Sequence, residues 1–324
     1  MDAVLTWAAE NDNGTYAWHA TLIGLSALNT ALLAQLWSDF NGKGYHAKKM
    51  LALCTPYVFT CAFRGCFVNN YISRRVVVDS AFSNIVLARG MATVAEICFA
   101  CQVSTALAVL HRDVHGGGPL WRLATALTLL AAAANTSSNV CVATKNNFYC
   151  AAENSCWGFL SLFWAGWAAC TLSALPEPTK TPASANTMRF LRGTCGLGFA
   201  AFLFIALIDV PMYIRRYKDE DPSTYLGLAD GLKEAVTMRV ASNSWSHWQE
   251  EVCWLTAYFS FAVWGSLFMA AAPPRFGRGR DPSSAGRRRG RGGAAAGRRP
   301  GTGRRRGAEY RTRDDVCTQQ RRLY

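Results

Sequence analysis

Apolar residues gather in seven stretches along the chain, 17–37, 50–68, 84–110, 120–144, 154–175, 193–214 and 249–272, with polar connections between them. Each is about as long as the roughly 20 mostly apolar residues that a helix needs to cross about 30 Å of hydrocarbon. The pattern predicts an all-α, polytopic membrane protein: a seven-transmembrane-helix bundle. The second stretch is the weakest, because Pro56 and Arg64 interrupt it. The first is expected to persist as an uncleaved helix, since Met1 to Tyr16 has no basic n-region and no convincing small-residue cleavage site follows. The chain then divides into a short N-terminal segment (1–16), a membrane domain (17–274) and a tail (275–324).

Charge changes this picture in one respect. The 324 residues have a formal net charge of +13 and a mean hydropathy of only +0.06. From Arg275 to Tyr324 there are 16 Arg against 4 acidic residues, which takes +12 of the +13 and leaves +1 for residues 1–274. The body is apolar and nearly neutral, so the high pI does not argue for a nucleic-acid-binding protein. The tail sequence "GRRRGRGGAAAGRRPGTGRRR" has no apolar periodicity and is predicted to be disordered. Such a tail is drawn to anionic lipid at about 1 kcal/mol per base near the surface. Its sparse aromatics, Phe276 and Tyr310, argue against binding RNA.

Within the body, Lys and Arg in short connections set orientation. The N-terminal segment has Asp2, Glu10 and Asp12 and no base. The first connection has Lys43, Lys48 and Lys49, the third has Arg112 and Arg122, and the fifth has Lys180, Arg189 and Arg192. Seven crossings put all of these, and the tail, on one side. The N-terminus is therefore expected outside or lumenal and the C-terminus in the cytoplasm, with Arg74 and Arg75 dissenting. A sequon at Asn13 is then open to glycosylation, whereas the one at Asn135 lies inside a span.

Ionisable groups inside the spans carry the candidate chemistry. Arg89 and Glu96 are seven residues apart on the third helix with Thr93 between them, a polar stripe on one face; at 1.5 Å per residue Glu96 lies near the midplane. A charge at that depth costs about 2.5–3.5 kcal/mol even on lenient scales, so such groups face a bundle interior and find partners. Arg64 lies near the outer end of the second helix, and Asn135 and Asn139 form an i,i+4 pair in the outer half of the fourth. Glu153 opens the fifth helix, Asp209 lies near the outer end of the sixth before Pro211, and Glu250 and Glu251 open the seventh. On that last helix Glu251, Trp254 and Tyr258 share a face. Nearly all of these fall in the outer half, with Gln102 the exception, and together they predict an outward-opening polar cavity.

Three functions compete. The first is a membrane enzyme acting on a lipidic or isoprenoid substrate, because buried carboxylates with raised pKa values serve as general acids and π-faces stabilise cationic charge. Glu96 is then the acid or base, with Asp209 its partner and Arg89 orienting both. Arg64, Asn135, Asn139, Glu153, Glu251, Trp254 and Tyr258 line the substrate site. The second is a proton-coupled transporter or channel, which uses carboxylate–Arg networks at similar depth; no pair of Gly/Pro-broken helices marks two halves. Gly193, Gly196 and Gly198 read as close-packing sites. The third is a seven-helix receptor. A retinal protein is excluded because 249–272 has no Lys for a Schiff base, and an Asn-Pro-x-x-Tyr end is missing. No metal or cofactor is expected: the five His do not form the clusters of a membrane di-iron desaturase or a zinc hydrolase, Cys98 and Cys101 form C-F-A-C with no second pair to complete a zinc site, and no Asp-rich diphosphate box is present. Cys141, Cys150 and Cys156 are placed to pair on an oxidising outer face, with no connectivity set by spacing. Residues 225–241 are expected to form a short amphipathic helix that lies on the membrane or caps the cavity.

Overall fold

A computed structural model describes residues 13–40, 44–115, 120–175 and 182–275. The chain divides into two units, Met1–Gly277 and Arg278–Tyr324, and every described residue belongs to the first. The expected disorder and lipid contact of the tail lie outside the described residues, as do Asp2, Glu10 and Asp12.

Among the described residues seven long helices follow one another: α1 (Asn13–Ser38), α2 (Tyr45–Cys66), α3 (Ile85–His115), α4 (Leu120–Thr144), α5 (Asn147–Ser173), α6 (Pro182–Phe204, continued through Ile205–Asp209 into Val210–Asp219) and, after the short α7 (Leu228–Thr237), α8 (Gln249–Ala257, Tyr258–Ala262 and Val263–Ala271). The middle pieces of α6 and α8 are π-helical. Six of the seven are long and apolar enough to cross a membrane, which makes the chain a multi-pass membrane protein by length and composition. The seventh, α2, is 22 residues long but carries His46, Lys48, Lys49 and Arg64; its helix runs on through Pro56. Glu153 does not open its helix, as expected, but lies in the second turn of α5. The turn before it is recruited by Asn146, whose side chain caps the Phe148 amide at 2.9 Å.

Successive helices from α1 to α6 are neighbours, and α8 fills the space against α1, α2 and α3. Two apolar clusters, one around Leu22, Tyr57 and Phe259 and one around Leu107, Leu160 and Trp164, are joined by Phe99, which stacks on Tyr57 and meets Trp164 edge-on. Gln102 is fully buried and bonded to both flanking helices. Its Nε2 donates to the carbonyls of Met50 (3.1 Å) and Ser266 (3.0 Å), and its Oε1 accepts from Ser266 Oγ at 2.6 Å. It ties α2, α3 and α8 together and is a packing group. Of the three glycines expected to close-pack, only Gly198 does: a Cβ there would stand 2.9 Å from the Ser161 carbonyl of α5, whereas Gly193 and Gly196 face open space.

One end of the bundle gathers the connections 67–84, 145–146 and 220–248. A small sheet forms there from β1 (Asn69–Asn70), β2 (Arg75–Val76) and β3 (Val240–Ala241), with β1–β2 antiparallel and β2–β3 parallel. The apolar pattern does not foresee it, because its strands are two residues each. Of the three cysteines expected to pair, Cys141 bonds to Cys150 and Cys156 is free. The turn they enclose is the platform on which α7 sits. The Leu226 amide donates to the Thr144 carbonyl at 3.0 Å, and Gly231 meets the Ala143 carbonyl so closely that no side chain fits. Lys145 Nζ reaches Glu234 at 2.5 Å. The amphipathic segment is thus a cap on α4 and α3, where Ala235 packs with Val142 and Ile85.

Glu234 holds this cap in place. The hydrogen bond and charge of Lys145, with Arg74 beside it, keep its carboxyl below the usual carboxylate range. A depressed folded pKa stabilises above the unfolded value of about 4.3 and is lost as pH falls through the folded one. The difference in thermal stability between the wild type and Glu234→Gln should therefore be constant above about pH 5 and close toward pH 3. A difference that persists at pH 3 would mean that the carboxylate charge is not what holds the cap.

Candidate functional site

Arg89, on the second turn of α3, is the hub. Its Nη2 donates to Asn135 Oδ1 at 2.7 Å and its Nε to Asn139 Oδ1 at 3.2 Å. The i,i+4 spacing puts both amides on one face of α4. Nη2 also stands 3.6 Å from Glu96 Oε2 and 3.7 Å from Glu153 Oε1 of α5. Glu96 Oε1 accepts from the Tyr258 hydroxyl at 3.1 Å, which draws in α8 at the first residue of its π segment. Glu96 Oε2 is buried and accepts no hydrogen bond among the described residues.

Arg64 completes the cluster differently. Its place inside a span predicts a carboxylate partner, but none lies within ion-pair distance among the described residues. Its guanidinium sits 5.3 Å, 5.6 Å and 5.5 Å from the ring centres of Tyr71, Tyr258 and Phe259. Cation–π attraction in a desolvated place stabilises such a cation by about 2 kcal/mol. Arg89 lies 5.8 Å from the same Tyr71 ring, so one phenol bridges both guanidiniums. Burial pushes the Tyr71 pKa up, against the two cations, and its buried hydroxyl is without a hydrogen-bond partner among the described residues. Glu251 accepts from Asn70 Nδ2 at 2.8 Å. Within ion-pair distance, one guanidinium, Arg89, serves two carboxylates, Glu96 and Glu153.

The structure therefore joins Glu96, Arg89, Asn135, Asn139, Glu153 and Tyr258 directly, and Arg64 through shared rings. Glu251 reaches the cluster through the Asn70–Tyr71 connection. Trp254 is half exposed and touches the site only through Tyr258, at 5.8 Å between ring centres. Asp209 is not brought to Glu96. It closes the π segment of α6, makes no hydrogen bond or ion pair among the described residues, and does not cap the backbone ahead of Pro211. Helix periodicity does not single out Tyr71, Asn70 or Tyr57. Tyr57 stacks on Phe99 at 4.6 Å and meets Tyr258 edge-on at 5.9 Å. It reads as core, while Tyr71 belongs to a connection whose fold-back no periodicity announces. His247, between Trp245 and Trp248, bonds Ser242 Oγ at 2.6 Å in the turn leading to α8.

The cluster also reaches the outer surface. Four residues turn a helix by about 40° beyond a full turn. Asn139 is thereby rotated from buried Asn135 toward exposed Thr136, and Thr93 from buried Arg89 toward exposed Gly90. Thr93 and Asn139 meet at this rim: Asn139 Nδ2 lies 3.3 Å from Thr93 Oγ1. A side chain at Gly90 would touch nothing. A polar window thus lies between α3 and α4, one hydrogen bond from Arg89 and two contacts from Glu96.

Among the described residues, no three His, Cys, Asp or Glu side chains are arranged as a metal site. No protein-family model matches the chain, and no curated protein or solved structure matches it either.

Proposed function

We propose that the chain spans the membrane seven times, with α2 as the seventh crossing, and carries out acid–base chemistry on a lipidic substrate that approaches sideways between α3 and α4. The observation that carries this reading is the continuous contact from the exposed Asn139–Thr93 pair through Arg89 to Glu96. Glu96 is the proton donor or acceptor. Its Oε2 has unused hydrogen-bonding capacity, while Arg89 and Tyr258 hold the carboxylate in place. The loop-rich end is outside or lumenal in this proposal. The disulfide at that end supports it, because disulfides persist in oxidising compartments. So do Lys48, Lys49, Arg112 and Arg122 at the other end. The tail then lies in the cytoplasm, where its arginines meet anionic lipid.

The test compares extracted lipids from membranes that hold the wild type, Glu96→Gln or neither. A lipid species that changes with the wild type and not with equally abundant, equally stable Glu96→Gln supports the enzyme. Identical lipid profiles in all three membranes would overturn it. One observation favours proton-coupled transport as a second reading: α6 and α8 each turn π-helical in mid-helix, at Asp209 and Tyr258. Such irregularities are frequent at functional sites. Glu96-dependent proton flux in proteoliposomes would select this reading over the first.

A further inference from the structure

The hydrogen-bonding capacity left at the α3–α4 window identifies the substrate class, an inference that rests on the lateral approach proposed above. Arg89 has only donors, so Asn139 must turn Oδ1 toward it, which the 3.2 Å contact with Nε reflects. Asn139 Nδ2 then faces Thr93 and the surface. It has two hydrogens, one of which is directed to Thr93 Oγ1 at 3.3 Å. The Thr93 hydroxyl has two acceptors in reach, the Arg89 carbonyl at 3.0 Å, the usual i−4 back-bond of a helical threonine, and Asn139 Oδ1 at 3.4 Å, and its single hydrogen is used within the cluster either way. One donor on Asn139 and one acceptor lone pair on Thr93 are left side by side.

We infer that this window binds a neutral lipid bearing a hydroxyl group, a long-chain, isoprenoid or polycyclic alcohol. A hydroxyl donates and accepts at once and satisfies both groups. A carboxylate or phosphate only accepts, so it leaves the Thr93 lone pair facing an anion. An ammonium only donates, so it collides with the Asn139 amide hydrogen. Charge disfavours anions further, since Arg89, the guanidinium behind the window, already stands between two carboxylates, Glu96 and Glu153. The rim is apolar: Leu87 and Val94 are exposed on either side along α3, which suits a hydrocarbon body, and the space beside Gly90 is open.

The full-length protein in lipid nanodiscs is labelled with three photoactivatable probes of identical diazirine-bearing chain, ending in an alcohol, a carboxylate or an amine. Labelled positions are mapped by peptide mass spectrometry. Losing one hydrogen bond at such a site corresponds to about a tenfold loss of occupancy. The alcohol should label α3 and α4 around Gly90, Thr93 and Thr136 about tenfold more than the other two probes. Unlabelled alcohol should compete it away. Gly90→Phe fills the open space and should abolish the labelling while leaving thermal stability intact. Equal or stronger labelling of the window by the acid or amine would overturn the hydroxyl class and leave lateral approach standing. No labelling there above the level at Leu197, an exposed residue of α6, would overturn lateral approach itself. Labelling that survives in Gly90→Phe would place the probe elsewhere and overturn the inference.

Discussion

Replacing Arg89 with methionine should cost about 3–5 kcal/mol of stability, the range for removing one partner of a buried ion pair. Methionine fills most of the volume, so the loss is electrostatic and not a cavity. Glu96 and Glu153, at 3.6 Å and 3.7 Å from Nη2, lose their shared cation. Asn135 and Asn139 each lose a donor to their Oδ1 atoms. Arg64 does not compensate, because its guanidinium is held among Tyr71, Tyr258 and Phe259. The two carboxyl groups must then be protonated to stay buried. Replacing the whole group is less damaging than removing its centre, since neutral amides need no counter-ion. Arg89→Met with Glu96→Gln and Glu153→Gln should therefore recover more than half of the loss. Thermal unfolding of the three proteins in the same detergent decides it. If Arg89→Met alone is within about 1 kcal/mol of wild type, the carboxylates are hydrated and the cluster is not a dry network.

What the sequence shows of this cluster follows from helix periodicity. A spacing of seven from Arg89 to Glu96 makes two turns, and one of four from Asn135 to Asn139 makes one, so each helix's polar face is legible from spacing alone. That those faces meet follows from cost: ionisable groups inside an apolar span turn to the bundle interior and find partners there. Helix existence is legible for the same reason, and α4 starts and stops at the residues its apolar run marks. Three things are not. Arg64 is caged by rings and not by a carboxylate, because its choice depends on where Tyr71 folds back from a polar connection. The seat of α7 is set by the turn between Cys141 and Cys150, and neither that turn nor the sheet of two-residue strands has an apolar pattern of its own. Asp209 reads as a partner of Glu96 by depth alone, yet α6 packs chiefly on α5 and is the least covered of the spanning helices. Depth is a one-dimensional coordinate, and it does not say which way a helix is turned.

The cap offers the second large effect. Arg74 is fully buried and lies at φ 57°, and Lys145 is at φ 58°; these are the two non-glycine residues of positive φ among those described. Both grip Glu234, Arg74 through Nε at 3.2 Å and Lys145 through Nζ at 2.5 Å. A left-handed conformation costs an ordinary residue about 1–2 kcal/mol, so the contacts made from it must exceed that cost. Arg74 also donates from Nη1 to the Tyr71 carbonyl and from Nη2 to that of Gly231. One guanidinium thereby joins the connection that carries Tyr71 to the helix that caps it. Arg74→Ala should lower the stability of this end by about 2–4 kcal/mol, since hydrogen bonds to a charged group contribute about 1.5–3 each and Lys145 retains Glu234. Arg74→Gly should be the milder change by about 1 kcal/mol, because glycine adopts the same φ freely. Arg74→Lys should behave nearly as badly as alanine, because an ammonium does not span three acceptors in a plane. Hydrogen exchange reads the effect locally: amides of α7 and β3 should open, while those around Gln102 in the core keep their protection. The order alanine, then glycine, in severity separates the contribution of the side chain from that of the backbone. Equal loss in both would mean that φ at position 74 relaxes when the guanidinium is gone. Loss of protection in α3 and α4 as well would show that Tyr71 transmits the cap's position to the Arg89 network beneath it.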